Sequence, residues 1–272
     1  MKAAFIRIKC SSTPEVLQQL WDKRYVVLHY GNNPSLDPND YDESGRKSLA
    51  RLHKYCEEGR IIGADFRELR RDKMLVGRIK PGSKVKAIKF KGGGEAFWYK
   101  AVELTDTVEV PYTRYPVLMA LQPRQTTLTG WPSAQKALQA ALDGKPLPRD
   151  VSSLDPNQLE VLCYEWLRTN GHLARLIMPI GRSMCDIDIF GMDDAGNHVY
   201  AQVTHSTSHD TNDDKLERLL SHKNKKATLF YFAPEGFRSK KQGIRVIPIQ
   251  EVFSALLKEE VSLRMIRTML GG

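Results

Sequence analysis

Cysteine is scarce. The 272-residue chain has four, Cys10, Cys56, Cys163 and Cys185, far apart, with no C-x-x-C pair and no histidine at matching spacing. That pattern argues against a disulfide framework and a structural zinc site, and leaves reduced, buried thiols as the simplest state. No apolar run approaches the roughly 20 residues that a membrane span requires. Residues Met1 to Cys10 read as an alternating strand and lack the apolar stretch and small-residue cleavage site of a leader, so a cytoplasmic protein is expected. Internal repeats and low-complexity tracts are absent as well.

What is present is positive charge, unevenly placed. Residues 1–150 hold 26 Lys+Arg and 17 Asp+Glu, residues 151–272 hold 15 of each, and the whole net charge of +9 lies in the first part. A polyanion partner is one reading, because phosphate contacts gain affinity by releasing counterions. A solvated basic surface is the other.

The length allows two domains, each with its own core. The run Gly144-Lys145-Pro146-Leu147-Pro148 marks the break. It gives a basic, β-rich domain at 1–144, a linker at 145–153 and a second domain at 154–272. The first domain is predicted to open with strand 3–9. A helix capped by Thr13 with Pro14 at its first position follows, then strand 25–30, a loop 32–42 and a helix 44–58 ending at Gly59. Strands at 60–66, 74–79, 83–90 and 97–104 and a helix at 132–143 complete an α+β unit that reads as a partly closed β-barrel. Tyr112 to Trp131 has no reading.

Between Arg67 and Lys91 stand ten basic and two acidic residues. Arg78, Lys80, Lys84, Lys86, Lys89 and Lys91 are the candidate surface for a nucleic-acid backbone. On the next strand Trp98 alternates to the face opposite Phe97 and Tyr99. There it has two open roles, stacking on a base or packing in the core.

In the second domain Asp155 and Pro156 start a helix whose apolar stripe is Leu159, Leu162, Cys163, Trp166 and Leu167, with Glu160 on its first turns. A short strand at 173–179 follows. Two alternating segments, 185–191 and 199–205, flank Asp193-Asp194-Ala195-Gly196-Asn197 and read as a β-hairpin. A turn centred on Ala195 sets Ile187 opposite Val203 and Ile189 opposite Ala201 on an apolar face. The other face then carries Asp188 opposite Gln202 and Asp186 opposite Thr204. Such a face is either chemical or merely solvated. Strands at 227–233 and 244–249 and a helix around 250–270 end the chain. That helix serves either core packing or a dimer surface.

The order of parts, a helix carrying Glu160, a strand, then Asp188 and Gln202 on a hairpin, resembles the PD-(D/E)XK nuclease core of the restriction-endonuclease-like superfamily. It is most similar to Mrr-type domains, over residues 154 to about 253. The resemblance implies an α/β domain with a mixed central sheet flanked by helices, and a Mg²⁺- or Mn²⁺-dependent DNA endonuclease acting in restriction or phage defence. By it, Asp188, Gln202 and the Val203 carbonyl would hold the ion, Glu160 would orient the attacking water, and the product would carry a 5′-phosphate. The motif lysine is missing: Thr204 stands two residues after Gln202. Lys215 on the following helix is one substitute for that charge, His205 or His209 another, although alternation turns His205 to the buried face. The segments 78–85 and 97–103 resemble PUA- or EVE-like barrels, which implies a domain able to read modified bases.

Two other functions stay open. One is a catalytically impaired nuclease fold serving as a DNA-binding or assembly module, and the other is an RNA nuclease. Double-strand cleavage would need two active sites, so a homodimer or a defence-system partner protein is an expected partner beside DNA.

Overall fold

The computed structural model describes residues 1–8, 13–92, 94–123, 126–181, 186–239 and 241–271, the side chain of His209 excepted. Cys10, Cys185 and the end of strand 3–9 lie outside the described residues. The chain divides into two compact units, residues 1–147 with 270–272, and residues 148–269.

The first unit runs β1 (Ala3–Arg7), α1 (Pro14–Asp22), β2 (Tyr25–Leu28), α2 (Glu43–Glu58), β3 (Arg60–Asp65), β4 (Lys73–Ile79), β5 (Lys86–Gly92), β6 (Glu95–Glu103), β7 (Thr105–Pro111), α3 (Pro116–Ala120), β8 (Leu128–Gly130) and α4 (Gln135–Leu142). The strands make two sheets, β7-β4-β3-β1-β8 and β2-β6-β5. The expected barrel is therefore corrected: among the described residues no closed barrel forms. The reason is topological. β1 pairs in parallel with β3 and antiparallel with β8, so its partners are distant in sequence.

Local chemistry explains most element ends. Pro14 fits the first turn of α1, whose Val16, Leu17, Leu20 and Trp21 form the buried stripe, but the Thr13 side chain makes no cap bond. In α2 Asp42 Oδ1 accepts from the Gly45 N–H at 2.7 Å. Such a cap contributes about 1 kcal/mol. Gly59 ends the helix at φ +72°, a conformation that favours glycine, and donates its N–H to Tyr55 O at 2.9 Å. The strand expected at 83–90 begins only at Lys86, and β7 has no counterpart in the expectation. On β6, Lys100 is 1% exposed, donates Nζ to Tyr30 O at 3.2 Å and stands 4.4 Å from the centre of the Tyr41 ring. The segment between β2 and α2 thus covers a lysine.

The second unit contains α5 (Pro156–Thr169), β9 (Arg175–Leu176), β10 (Ile189–Met192), β11 (His198–Val203), α6 (His209–Leu220), β12 (Ala227–Ala233), β13 (Arg245–Pro248), α7 (Ile249–Leu256) and α8 (Glu260–Met269). Its sheet is mixed, in the order β13-β12-β11-β10-β9, with β11, β12 and β13 parallel. Helices flank it. Leu216 and Leu219 of α6 pack with Tyr200, Leu229 and Tyr231 on one face. On the other, Trp166 of α5 meets Phe232 with ring centres 5.9 Å apart.

Asp155 caps α5 in a capping box: its Oδ1 accepts from the Asn157 and Gln158 N–H groups at 2.8 and 3.3 Å, and Gln158 Oε1 accepts from the Asp155 N–H at 3.1 Å. The strand expected at 173–179 shrinks to two residues, and the helix expected around 250–270 is two helices. Among the described residues no helix is long and apolar enough to cross a membrane.

Candidate functional site

The β10–β11 hairpin positions the site. Ile189 pairs with Ala201 and Met192 with His198, the register that a turn centred on Ala195 implies. The turn is held by Asp193 Oδ1, which accepts from the Ala195 and Asn197 N–H groups at 3.0 and 2.8 Å. Regular pairing stops before Asp188. Asp186 has φ +67°, and the Asp188 N–H donates at 3.0 Å to Ala201 O, on the residue already opposite Ile189. Two residues thus face one, as in a β-bulge, a device that re-aims a side chain.

Two expectations are corrected by this break. Asp186 is not across from Thr204; it accepts a 2.9 Å ion-paired bond from Arg218 Nη1. Ile187 is not on the Ile189 face; it packs in the cluster with Leu216 and Leu219.

Asp188 is aimed at Gln202. Its Oδ2 accepts from Gln202 Nε2 at 2.6 Å and from the Val203 N–H at 2.7 Å, and Gln202 Nε2 also donates to Val203 O at 3.3 Å. One amide nitrogen therefore lies where a carboxylate and a carbonyl oxygen converge. Gln202 is 5% exposed, and its Oε1 is buried with no hydrogen-bond partner. An unmet buried acceptor destabilises by about 1–3 kcal/mol. Turning the amide over would set Oε1 against the Asp188 carboxylate, which is favourable only with a cation between them. Burial pushes the Asp188 pKa up, opposed by the Val203 N–H, the Lys215 charge and the Gln202 amide, while the Asp186 charge adds to the rise.

The donor set fits a hard divalent cation. Asp188, the Val203 carbonyl and the unmet Gln202 oxygen are all oxygen ligands, and Mg²⁺ takes such ligands while keeping several waters. Among the described residues no group of three His, Cys, Asp or Glu could hold an ion, so an ion at this place depends on the amide and the carbonyl.

The other expected residues lie around this centre in different ways. Glu160 reaches it from α5: its carboxylate stands against Gly181, where a Cβ would collide with Oε2, and the Gly181 N–H donates to Asp188 O at 2.8 Å. Gly181 has φ +70°, so glycine serves both the turn and the close approach. The charges of Glu160 and Asp188 both act on the fully buried Cys163 thiol, whose pKa is raised first by burial and then by these two carboxylates. Lys215 on α6 is close enough for its charge to lower the Asp188 pKa.

Thr204 is different. It is 1% exposed and its hydroxyl faces a closed network: Oγ1 donates to Asn212 Oδ1 at 3.1 Å and accepts from the Ser206 N–H at 3.2 Å, and Tyr231 Oη donates to Asn212 Oδ1 at 3.1 Å. It is a structural link between β11 and α6. His205, expected on the buried face, is exposed, because β11 ends at Val203 and alternation no longer applies. The side chain of His209 lies outside the described residues.

Sequence reasoning missed Gly181, Asn212 and Tyr231. Asn212 carried no signal of its own, because the run Thr211-Asn212-Asp213-Asp214 is polar throughout and reads as a solvated helix start.

In the first unit the basic residues are spread over two sheets and the connection between them. Arg78 lies on β4 in the five-stranded sheet, 3.7 Å from Asp106 and bonded to Gln139 Oε1 at 3.4 Å. Lys80 and Lys84 are exposed in the connection to β5. Lys86, Lys89 and Lys91 are exposed on β5 of the other sheet, where Lys89 pairs with Trp98 and places its Nζ 5.4 Å from the centre of the indole. Tyr99 is buried, and Phe97 packs against the core, so Trp98 does take the face opposite to both.

No family model matches the chain, and no curated protein matches it. A comparison with solved structures finds the crystal structure of a repair endonuclease from Pyrococcus abyssi, at 15% sequence identity over 70% of each chain and a TM-score of 0.20.

Proposed function

We propose that the second unit hydrolyses phosphodiester bonds in DNA with a divalent cation, while the basic first unit holds the nucleic acid. Restriction or phage defence is the setting that the PD-(D/E)XK resemblance implies. The observation that carries the reading is the convergence of the Asp188 carboxylate and the Val203 carbonyl on one point, beside a buried Gln202 oxygen without a partner. Asp188, Gln202 and Val203 would hold Mg²⁺ or Mn²⁺. When bound, such an ion polarises a phosphate oxygen and lowers the pKa of water.

The chain's own groups divide the remaining work. Glu160 orients the attacking water. Lys215 supplies the positive charge that Thr204 cannot, so that charge developing on the phosphate is met by an ammonium. The water oxygen bonds to phosphorus as the bond to the 3′ oxygen breaks, leaving a 3′-hydroxyl and a 5′-phosphate.

A second reading is a nuclease fold that binds without cutting. It is favoured by the Thr204 hydroxyl, which is committed to Asn212 and Ser206 and so leaves the motif lysine's place to a structural network.

The test is cleavage of methylated and unmethylated plasmid by the full chain with Mg²⁺ or Mn²⁺, beside Asp188→Ala. Cleavage that falls by two or more orders of magnitude in the variant supports the enzyme. Binding without cleavage of either plasmid supports the module. RNA run as competitor and as substrate decides which nucleic acid is used.

A further inference from the structure

A cleft of about 990 Å³ opens in the first unit, and Arg7 and Asp65, the last residues of the parallel strands β1 and β3, line it side by side in register. Crevices for ligands form at such an edge because both chains turn away from the sheet there. In its lining is an ion pair: Arg7 Nε lies 3.3 Å from Asp65 Oδ2, with side chains 9% and 2% exposed. Arg67 reaches the same carboxylate oxygen at 3.3 Å and donates to Gln122 Oε1 at 2.8 Å. A buried ion pair is poor evidence of stabilisation, since apolar residues of similar volume often hold a fold at least as well. One buried acid instead orders two guanidiniums beside an opening, and Arg71 adds a third, exposed one.

The rest of the lining is mixed and includes a second acid, Glu68, so the cleft keeps a net charge of +1 from three arginines and two carboxylates. Tyr112 accepts from Gln122 Nε2 at 2.7 Å, so its own proton is left for another acceptor. Burial, with the Asp65 charge, pushes its hydroxyl up to about 12, which keeps it a donor at any ordinary pH. Met119 is 61% exposed on a helix that also contributes Pro116, so part of the wall is apolar and open.

We propose that this cleft binds a nucleoside phosphate, with the phosphate at Arg67 and Arg71 and the base against Tyr112 and Met119. Guanidinium forks match phosphate oxygens in pairs. Asp65 and Gln122 offer an acceptor and a donor to the polar edge of a planar ring, while Arg7, which also donates Nη2 to Pro123 O at 2.7 Å, holds the Asp65 carboxylate in place. The volume lies at the upper end of the range for small-ligand sites. The ligand is either a free mononucleotide or one nucleotide of a single strand. Its lining belongs to the first unit, and the proposal does not depend on catalysis at Asp188.

The test is calorimetric titration of the full chain with the eight common mononucleotides, with inorganic phosphate, and with a five-residue oligodeoxynucleotide. At least one mononucleotide is expected to bind with Kd on the order of 100 µM. Arg71→Ala should weaken it about tenfold by removing a charge-assisted contact, and Tyr112→Phe, which keeps the ring, about threefold. Asp188→Ala, which should abolish cleavage, leaves this titration unchanged, so failure of one reading is distinct from failure of the other.

Oligonucleotide binding much tighter than, and displaced by, the mononucleotide identifies the strand as the source. Mononucleotide binding alone identifies the free ligand. The proposal is overturned if no nucleotide binds at about 5 mM, if phosphate alone binds as tightly as any nucleotide, or if neither variant changes the affinity.

Discussion

Lys100 tests the energetics of the first unit most directly. Its ammonium is 1% exposed, bonded to Tyr30 O and set over Tyr41, and among the described residues no carboxylate stands within ion-pair distance. Desolvation lowers its pKa from the ordinary 10.5 to about 8. The unfolded chain therefore holds this proton more tightly than the folded one. Below about pH 8 both states are protonated and the folded state carries the whole penalty. Between about 8 and 10.5 the folded state releases the proton first and the penalty fades; above 10.5 it is gone. At about 1.4 kcal/mol per pH unit of displacement, the penalty at pH 7 is about 3 kcal/mol.

Lys100→Met removes the charge and keeps most of the volume. After loss of the Tyr30 bond and the ring contact, the variant should be more stable than wild type at pH 7 by about 1–2 kcal/mol. The gap should close steadily toward pH 10.5. The assay is urea unfolding of both proteins followed by circular dichroism, from pH 6.5 to 10.5, read as a difference. Wild type alone does not suffice, because burial raises Cys56 to about 11 and Tyr112 to about 12, and both groups lose stability on the alkaline side. Those contributions cancel between the two proteins. A gap that stays constant or widens with pH refutes the reasoning.

Three further outcomes follow from the second unit. Gln202→Glu puts a second carboxylate beside Asp188. Its Tm should fall without divalent ions and recover with Mg²⁺ or Mn²⁺ by more than wild type gains; a flat response to both ions removes the case for an ion site. Thr204→Lys, which restores the motif residue, should destabilise by about 3 kcal/mol through loss of a buried network and raise no cleavage, as unfolding and plasmid nicking would read. A stable and more active variant contradicts the placement of Thr204. Lys215→Ala should lower cleavage about ten- to a hundredfold at a stability change under about 1 kcal/mol; unchanged cleavage excludes Lys215 as the substitute charge.

The hairpin was legible because two signals agree on it. Period-two alternation on both strands and the Asp193–Asn197 turn set Ile189 against Ala201, and that is the pairing found. The bulge beside it was not legible, because a single left-handed residue, Asp186, leaves no mark on a hydrophobic pattern. Carrying alternation through it misplaced Asp186 and Ile187, and carrying it past the end of β11 misplaced His205. Thr204 was read by its motif position, whereas its environment is set by Asn212 on a helix whose sequence looks solvated. In the first unit each strand was visible alone, except β7, whose Thr105-Asp106-Thr107-Val108-Glu109 run reads as polar, and β8, three residues inside the unread stretch from Tyr112 to Trp131. Pairing was not visible, so a barrel was expected where two sheets form. The Arg7–Asp65 pair has no local signature, since 58 residues separate its members.

The placement of β1 sets a schedule for synthesis. It leaves a ribosome before either of its partner strands, and all five of its residues are buried in the finished sheet. One neighbour, β3, follows within the next sixty or so residues, but the other, β8, ends at Gly130. At ~5–20 residues per second, a nascent chain holds that side of an apolar strand unpaired for roughly 6–25 s. An open strand edge of that kind recruits other chains. Slowed translation between β3 and β8 should therefore lower the soluble yield, and an early-binding chaperone should restore it.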